Sequence, residues 1–436
     1  MTTQDTAPVP AEPAILPAGS AADGPAAEPS PRRRRGVVAV VGLVLVAGVA
    51  GGGAFYLDSA DSSTPTAVAA PGTAAATSVA SREVAAPVAA YEGLRPDGLV
   101  PHTAPLVLSL RDGTFTTVTG TGPDGAPVEG TVGADGRWTS STPLKPAAAY
   151  AMVAQVRDSA GETRSLPLPV STTPAAKTFG VSLAPGDGAS VGVGQAISVR
   201  LATPAKDQAT KAAVERSLSV TTEPAVQGAW RWMSSSELRY RGPDLWAAGT
   251  KITVAAALSH VQVNGVWGPP TRTSTFTVGS ANTAVVDVKA HTMTVSQNGQ
   301  VVRVMKASMG KPGFDTRNGT FVVLEKFADK IMDSATVDLP PGTEPYRTAV
   351  KDAVRITNSG TFTHGAPWSV RSQGRSNVSH GCINLSPVDA DWYFQQAKRG
   401  DVVTVVNSRI GPVLSDAGSQ DWNLTFEQWK SGSALV

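Results

Sequence analysis

The sequence contains almost no cysteine and little charge. A single cysteine, Cys382, occurs in 436 residues, so the chain cannot close a disulfide within itself. Charged residues make up 17% of the chain and the formal net charge is +2, a balance that argues against a nucleic-acid partner. Glycine (43) and proline (33) are abundant by contrast, and their spread favours turn-rich β structure over helix bundles. The length predicts about three domains.

The N-terminal region has the composition of a tether. Residues 1–35 are rich in Pro, Ala and Ser and end in four arginines, which predicts a disordered cytoplasmic segment. Residues 36–57 carry no charge and are long enough to cross a bilayer as a helix. We therefore expect a single-pass anchor in the cytoplasmic membrane, with the rest of the chain in the cell wall or periplasm. A cleaved signal peptide, with small residues at 67–69, is the alternative. Residues 58–90 predict a flexible stalk.

Short alternating strands follow in two stretches of similar character. Residues 91–173 and 178–279 carry turn signals at intervals of about 8–12 residues, which predicts two Ig-like β-sandwich domains. In the second stretch Asn264-Gly265 predicts a tight hairpin, and the insertion at 205–218 predicts a helix. In the first stretch, alternation predicts that one face of a strand carries four apolar side chains: Tyr150, Met152, Ala154 and Val156.

A third domain is predicted over residues 281–406, followed by a tail at 407–436. Asn298-Gly299 between alternating flanks predicts a type I′ hairpin. A helix is predicted over 387–399, with Ser386 as N-cap, Pro387 in its first turn, Lys398-Arg399 in its last turn and Gly400 after it. The tail carries three large aromatic side chains, and we expect it to dock on this domain: Trp422, Phe426 and Trp429.

The single cysteine lies near two of the five histidines. His364 is 18 residues upstream of Cys382, at the end of an alternating run, and His380 is two residues upstream. A cysteine nucleophile needs a base, a group that orients the base, and donors for the developing oxyanion. His364 fits the base, and the backbone N–H groups of His380, Gly381 and Cys382 fit the donors.

Two other interpretations of the cysteine are compatible with the sequence. A lone cysteine is often a buried, inert core residue. A metal site built from His364, His380 and Cys382 is the second, although His-x-Cys is an unusual spacing for zinc. We expect no metal and no cofactor.

The segment Ser379-His380-Gly381-Cys382-Ile383-Asn384 resembles the S/T-H-G-C-apolar-N signature of L,D-transpeptidase catalytic domains. His364 lies where that family has its general base, and the likeness extends through "NGTFVVLEKFADKIMDS", "PYRTAV" and "SGTFTHGAPWSV". The arrangement of anchor, two Ig-like domains and catalytic domain resembles actinobacterial members that make 3→3 peptidoglycan cross-links. The resemblance implies a mainly β chain, with two Ig-like β-sandwiches before a β-sheet catalytic domain that has one capped helix and a C-terminal aromatic tail.

The resemblance also implies roles for individual residues. Cys382 attacks the third-residue carbonyl of a tetrapeptide stem, expels the terminal D-Ala and forms a thioester, which the amine of a neighbouring stem's diamino acid resolves. His364 takes the thiol proton while the Gly365 carbonyl orients its ring. The backbone of His380–Cys382 and the Tyr346 hydroxyl hold the oxyanion. Carbapenem β-lactams are the implied inhibitors.

Further residues are implied to line the substrate cleft: Met332, Tyr346, Ser359, Gly360, Trp368, Ser379 and Asn384. Residues 333–352 resemble a lid. The chain departs from the family pattern at Thr316-Arg317-Asn318-Gly319, where Thr-Pro-x-Gly is common, and at Gly365, where some relatives have Ser.

Two alternatives to the cross-linking reaction follow from the same residues. Both form the same thioester and differ in the group that resolves it. If water resolves the thioester, the enzyme is a carboxypeptidase. If a protein amine resolves it, the enzyme attaches that protein to peptidoglycan. A non-enzymatic wall-binding or adhesion protein would use the Ig-like domains and leave the thiol unreactive.

Overall fold

The structure, a computed structural model, describes residues 85–336, 345–414, 416 and 420–436. The predicted span at 36–57 and most of the stalk lie outside these residues. In the part of the chain that is described, no helix is long and apolar enough to cross a membrane. The prediction of a mainly β fold is confirmed, since strands far outnumber helices in each domain and the helices are short.

The first Ig-like domain consists of two sheets packed face to face. One sheet has the order β1-β2-β5-β4 and the other the order β3-β6-β7. The predicted alternation in β6 is confirmed, because Tyr150, Met152, Ala154 and Val156 are buried and the intervening residues are not. The strands are β1 Val88–Tyr91, β2 Pro105–Arg111, β3 Gly113–Thr121, β4 Gly130–Val132, β5 Trp138–Pro143, β6 Ala149–Asp158 and β7 Thr163–Ser171.

The second Ig-like domain has two four-stranded sheets, β12-β13-β10-β8 and β11-β14-β17-β9, and a small β15-β16 hairpin. Asn264 and Gly265 have φ of 50° and 76°, so the predicted tight turn is a type I′ turn. The predicted helix is α1, Gln208–Arg216. The strands are β8 Val181–Ala184, β9 Ser190–Val191, β10 Ile197–Leu201, β11 Leu218–Glu223, β12 Ala229–Trp232, β13 Glu237–Arg241, β14 Lys251–Ala256, β15 Gln262–Val263, β16 Val266–Trp267 and β17 Arg272–Val278.

The third domain is built on a sheet in which the described residues form nine strands, in the order β21-β26-β18-β19-β20-β25-β24-β23-β22. Asn298 and Gly299 form the predicted type I′ turn, with φ of 49° and 81°. The strands are β18 Asn282–Asp287, β19 Thr292–Gln297, β20 Gln300–Ser308, β21 Gly319–Val322, β22 Glu325–Asp333, β23 Arg347–Arg355, β24 Phe362–Gly365, β25 Ile383–Leu385 and β26 Val402–Val406.

Helix α2, Pro387–Gln396, begins where the sequence predicts and ends earlier. The Ser386 hydroxyl accepts a hydrogen bond from the Asp389 N–H at 3.1 Å, so the predicted N-cap is confirmed. The predicted end at 399 is wrong, because Ala397 is already extended and the Lys398 N–H donates to the Asp401 carboxylate at 2.8 Å. The Asp401 side chain thus takes the Lys398 N–H, which a longer helix would use for its own backbone hydrogen bond.

The tail docks on the second Ig-like domain as well as on the third domain. It contains two short helices, α3 Gln420–Asn423 and α4 Phe426–Lys430. Trp429 is fully buried and its indole N–H donates to the Ala229 carbonyl in β12 at 2.8 Å. Asn423 in turn bonds the backbone of Thr320 in β21 through both amide atoms, each at 2.8 Å. The tail therefore joins the two domains, whereas the sequence predicted docking on the third alone.

Candidate active site

Two adjacent parallel strands bring the predicted nucleophile and base together. In the register of β24 and β25, Thr363 lies opposite Ile383 and His364 lies opposite Asn384. Cys382 comes immediately before β25, two residues from Asn384. Because opposed residues and residues two apart share one face of a sheet, Cys382 and His364 are diagonal neighbours on the same face.

The imidazole of His364 has one defined tautomer. Its Nδ1 lies 3.1 Å from the carbonyl oxygen of Gly365. A carbonyl only accepts, so Nδ1 carries the proton and Nε2 has the lone pair that a general base needs. The residue is 4% exposed, and this burial lowers the pKa of His364 below its ordinary value. The predicted contact with Gly365 is thus present, and the imidazole is neutral at neutral pH.

The thiol of Cys382 lies in an apolar corner of the site. The partly exposed residue packs against a small cluster that includes Val350, Ala353 and Phe362, and its Sγ lies 3.8 Å from the Gly360 carbonyl oxygen. Burial raises the pKa of the Cys382 thiol to about 11. The resting pair therefore consists of a protonated thiol and a neutral imidazole, not a thiolate and an imidazolium.

The turn before the cysteine is held by two hydroxyl groups. The Ser379 hydroxyl donates to the Cys382 carbonyl at 2.7 Å and accepts from the Gly381 N–H at 3.1 Å. The Thr316 hydroxyl donates to the Gly381 carbonyl at 2.8 Å. Gly381 has φ of 118°, a conformation that favours glycine. The Gly381 N–H is therefore bonded within the turn, which corrects the prediction that it faces the oxyanion.

Thr316 is a positioning residue that the sequence pattern did not reveal as part of the site. It is 2% exposed, and its hydroxyl also accepts from the Gly310 N–H at 2.9 Å. The available signal was that Thr316 matches the family's Thr-Pro-x-Gly pattern. The chain departs from that pattern only at Arg317, so the hydroxyl that contacts Gly381 is kept.

His380 lies in an aromatic stack beside the catalytic turn. Its ring is 5.0 Å from the Tyr346 ring, nearly parallel to it, and 4.8 Å from the Phe314 ring, edge-on. This arrangement places Tyr346, the residue immediately before β23, next to the turn that carries Cys382. It also gives the His380 ring a packing role, and a metal site that includes this imidazole receives no support. No cluster of three His, Cys, Asp or Glu side chains suited to a metal ion occurs among the described residues.

The remaining predicted cleft residues fall into two groups. Trp368 is 36% exposed, with its ring centre 6.0 Å from that of His364, and Met332 packs in the cluster around Cys382. Gly360 contacts the thiol through its carbonyl. These three therefore border the nucleophile and base.

The second group has partners inside the protein. Ser359 is exposed and its hydroxyl donates to the Asp416 carboxylate at 2.6 Å. Asn384 is 3% exposed and its amide donates to the Ser369 hydroxyl at 3.2 Å, which ties β25 to the loop after β24. A contact of Ser359, Ser379 or Asn384 with substrate stays a prediction.

A partly exposed cysteine beside a buried histidine, next to a glycine turn in a domain that follows two Ig-like domains, defines a cysteine-dependent acyltransferase. Comparison with known proteins gives the family. Residues 281–405 match the L,D-transpeptidase catalytic domain, and residues 98–262 match a bacterial Ig domain.

Similar proteins are found in mycobacteria. L,D-transpeptidase 2 of Mycobacterium tuberculosis is 38% identical over 344 residues, which cover 78% of this chain and 83% of the relative. L,D-transpeptidase 1 of the same species is 40% identical over 226 residues, or 52% of this chain and 84% of the relative. The chain belongs to the L,D-transpeptidase family, and its activity is that of a peptidoglycan L,D-transpeptidase.

Solved structures of similar proteins align with about half of the chain. A structure of LD transpeptidase LdtMt1 in complex with imipenem is 39% identical, with a TM-score of 0.46, and the match covers 53% of this chain and 100% of that one. An L,D-transpeptidase from Mycobacterium smegmatis is 38% identical, with a TM-score of 0.44 and the same coverage.

Proposed function

We propose that this enzyme forms 3→3 cross-links between peptidoglycan stem peptides through a thioester on Cys382. The observation that carries the proposal is the pairing of β24 with β25. It places His364 and Cys382 on one face, with the imidazole held by the Gly365 carbonyl in the tautomer that a base requires. The donor is a tetrapeptide stem, and the leaving group is its terminal D-Ala.

The first half of the reaction acylates the enzyme. As Sγ attacks the carbonyl carbon of the third stem residue, His364 Nε2 takes the thiol proton, and the backbone at Cys382 and the Tyr346 hydroxyl stabilise the oxyanion. The tetrahedral intermediate then collapses, the C–N bond to D-Ala breaks, and His364 returns the proton to the departing amine. The product is a thioester and free D-Ala.

The second half transfers the acyl group. The side-chain amine of a diamino acid in a neighbouring stem attacks the thioester carbon while His364 takes one of its protons. The C–S bond breaks, the sulfur leaves as thiolate, and His364 reprotonates it. One amide is broken and one is formed, so no external energy source enters the reaction.

The neutral resting pair suits this sequence of events. A thiol whose pKa is raised by apolar surroundings remains protonated until a carbonyl group is held beside it, so the charge develops only as the substrate reacts. The lowered pKa of His364 keeps Nε2 available as a base at neutral pH.

Product analysis tests the proposal. Purified protein incubated with disaccharide-tetrapeptide is expected to release D-Ala and yield a dimer whose mass and fragmentation show a bond between two third-position residues. Cys382→Ala is expected to abolish both products while melting at the same temperature as the wild type. Release of D-Ala without a dimer would indicate that water resolves the thioester. The alternative in which a protein amine resolves it would instead yield a protein that carries the stem peptide.

Carbapenem acylation provides a second test of the nucleophile. The family membership and the single thiol support a covalent adduct on Cys382, which intact-mass spectrometry detects as one added drug molecule. His364→Ala is expected to slow the adduct without changing the fold. Absence of any adduct in the wild type would favour the wall-binding alternative, which leaves the thiol unreactive.

For location, we propose that residues 36–57 anchor the chain in the cytoplasmic membrane and that the Ig-like domains hold the active site within the wall. Since the tail packs on the second Ig-like domain, the spacer role is tested by removing residues 91–173 alone. The deletion is expected to keep activity on soluble substrate and to reduce cross-linking in cells. Unchanged cellular cross-linking would contradict the spacer role, and a soluble full-length protein would contradict the anchor.

A further inference from the structure

The loop between β24 and the catalytic turn has one buried face and one exposed face. The N–H groups of Ser372 and Gln373 both donate to the Ser369 carbonyl, at 2.8 and 3.1 Å, so residues 369–373 form a turn of helix. Ser369 and Gln373, four residues apart, are 3% and 4% exposed and bond each other at 3.2 Å. The buried side of the loop is therefore fixed to the domain.

The exposed side carries Trp368 and Arg371, three residues apart, which a helical turn brings onto one side. Trp368 lies beside His364, as described above. Arg371 therefore continues the surface that leads away from the catalytic base. Arg375 is also exposed and follows on the same loop, after Gly374.

The charge of this region has one sign. Residues 353–388 contain three arginines and no acidic residue, although they include both the base and the nucleophile. Within the described residues, Arg371 and Arg375 form no ion pair and their guanidinium groups donate no hydrogen bond. By contrast, Arg303 and Arg409 of the same domain pair with Asp389 and Asp315, at 2.7 and 2.8 Å respectively. The two loop arginines thus present guanidinium groups that the fold does not use.

We propose that Arg371, supported by Arg375, binds a carboxylate of a stem peptide and thereby selects substrates that carry that charge. The inference rests on the proposed function, since it names a recognition element for the same reaction. A guanidinium matches a carboxylate through two parallel N–H···O bonds, whereas a backbone amide of the substrate offers no such partner. The contact lies at the surface, so it is sensitive to salt.

This role predicts a particular kinetic signature. A contact that is the same in the bound substrate and in the transition state changes KM and leaves kcat unchanged. We therefore expect loss of either arginine to raise KM for substrates that carry the carboxylate. We expect this effect on KM to become smaller as the salt concentration increases.

The experiment compares Arg371→Gln, Arg371→Glu and Arg375→Glu with Arg272→Glu, which makes the same charge change at an exposed position of the second Ig-like domain. Donor and acceptor peptides are each used with a free C-terminal carboxylate and as the C-terminal carboxamide. Arg371→Glu is expected to raise KM about tenfold or more for one carboxylate peptide, with a smaller rise for Arg371→Gln and Arg375→Glu and none for Arg272→Glu. If the substitutions no longer raise KM when one peptide is used as its carboxamide, the carboxylate of that peptide is the one that Arg371 binds.

Two results would overturn the inference. One is a KM for Arg371→Glu equal to that of the wild type with every peptide. The other is an equal rise for the carboxylate and carboxamide forms of both peptides, which would indicate a general loss of binding. Failure of the proposed function is distinguishable, because the wild type itself would then form no cross-linked dimer.

Discussion

The hydroxyl of Thr316 joins two backbone segments: it donates to the Gly381 carbonyl at 2.8 Å and accepts from the Gly310 N–H at 2.9 Å. Through this one atom, the loop that follows β20 sets the position of the turn before Cys382. Replacing the buried hydroxyl of Thr316 with a methyl group is therefore expected to disturb the position of Cys382.

Thr316→Val is expected to lower kcat and to cost about 1–3 kcal/mol of stability, because it leaves a buried N–H and a partly buried carbonyl without this partner. Thr316→Ser keeps the hydroxyl and is the matched control, expected to retain activity. Steady-state kinetics and denaturant unfolding measure the two effects. Wild-type kcat in Thr316→Val would show that the turn holds its geometry without the hydroxyl.

The two glycines of the site are expected to respond differently to substitution. Gly381 has φ of 118°, so Gly381→Ala is expected to strain the turn by about 1–3 kcal/mol and to reduce acylation. A Cβ on Gly365 would lie 3.5 Å or more from its nearest neighbours, so Gly365→Ser is expected to remain active. Rates of carbapenem acylation compare the two variants, and the reverse order of activity would contradict this expectation.

The neutral thiol and imidazole predict a distinct pH dependence. Thiolate formation at Cys382 follows a pKa of about 11, so alkylation of the free enzyme by iodoacetamide is expected to be slow at pH 7 and to rise about tenfold per pH unit up to pH 10. The acid limb of kcat/KM follows His364, whose pKa is lowered, and is expected below the ordinary imidazole value of 6.5. Fast alkylation at pH 6 would instead indicate a resting thiolate.

Asp401 is expected to make stability depend on pH. It is 3% exposed, its Oδ1 has no hydrogen-bond partner in the described structure, and burial raises the pKa of Asp401 to about 6. The folded protein then binds this proton more tightly than the unfolded chain, so the group destabilises the fold above pH 6 and ceases to do so as the pH falls below about 4.

Asp401→Asn removes that charge and keeps an oxygen for the Lys398 N–H. It is expected to be more stable than the wild type at pH 7.5, by up to about 2–3 kcal/mol, and the difference is expected to shrink as the pH falls to 4.5. Asp391→Asn, at an exposed position of α2, is the control. Chemical unfolding at several pH values measures the effect, and a difference that does not vary with pH would contradict it.

The docked tail is expected to carry much of the stability of the joined domains. Trp429→Ala removes a fully buried indole together with its hydrogen bond to Ala229 and is expected to cost about 3–5 kcal/mol. Leu435→Ala, at a side chain that is 47% exposed in the same tail, is expected to have little effect. Calorimetry of both variants tests this, and equal melting temperatures for Trp429→Ala and the wild type would show that the contact is dispensable.

Local signals in the sequence predicted local structure well. Asn264-Gly265 and Asn298-Gly299 form the expected turns because only residues that tolerate positive φ fit there. The start of α2 at Ser386 was also predicted, since an N-cap acts within four residues. The nucleophile and base were identified from their spacing and from the family signature.

What the sequence did not predict depends on contacts between distant residues. The early end of α2 depends on the Asp401 side chain. The partner of the tail depends on the second Ig-like domain, about 200 residues earlier in the chain. The hydrogen bonds of Thr316 with Gly381 and of Asn384 with Ser369 likewise join segments that no local pattern connects. The raised pKa of Cys382 follows from burial, which composition and spacing do not specify.

The docking of the tail also completes the second Ig-like domain. Arg241 is 1% exposed, with its guanidinium 4.9 Å from the ring centres of Trp422 and Trp429, and Glu215, 4% exposed, accepts the Ala434 N–H at 2.8 Å. Both charges belong to the second Ig-like domain, and these partners lie roughly 200 residues later in the chain. Removal of the tail would leave two buried charged groups without these partners, so the second Ig-like domain reaches its full stability only when the tail is docked on it.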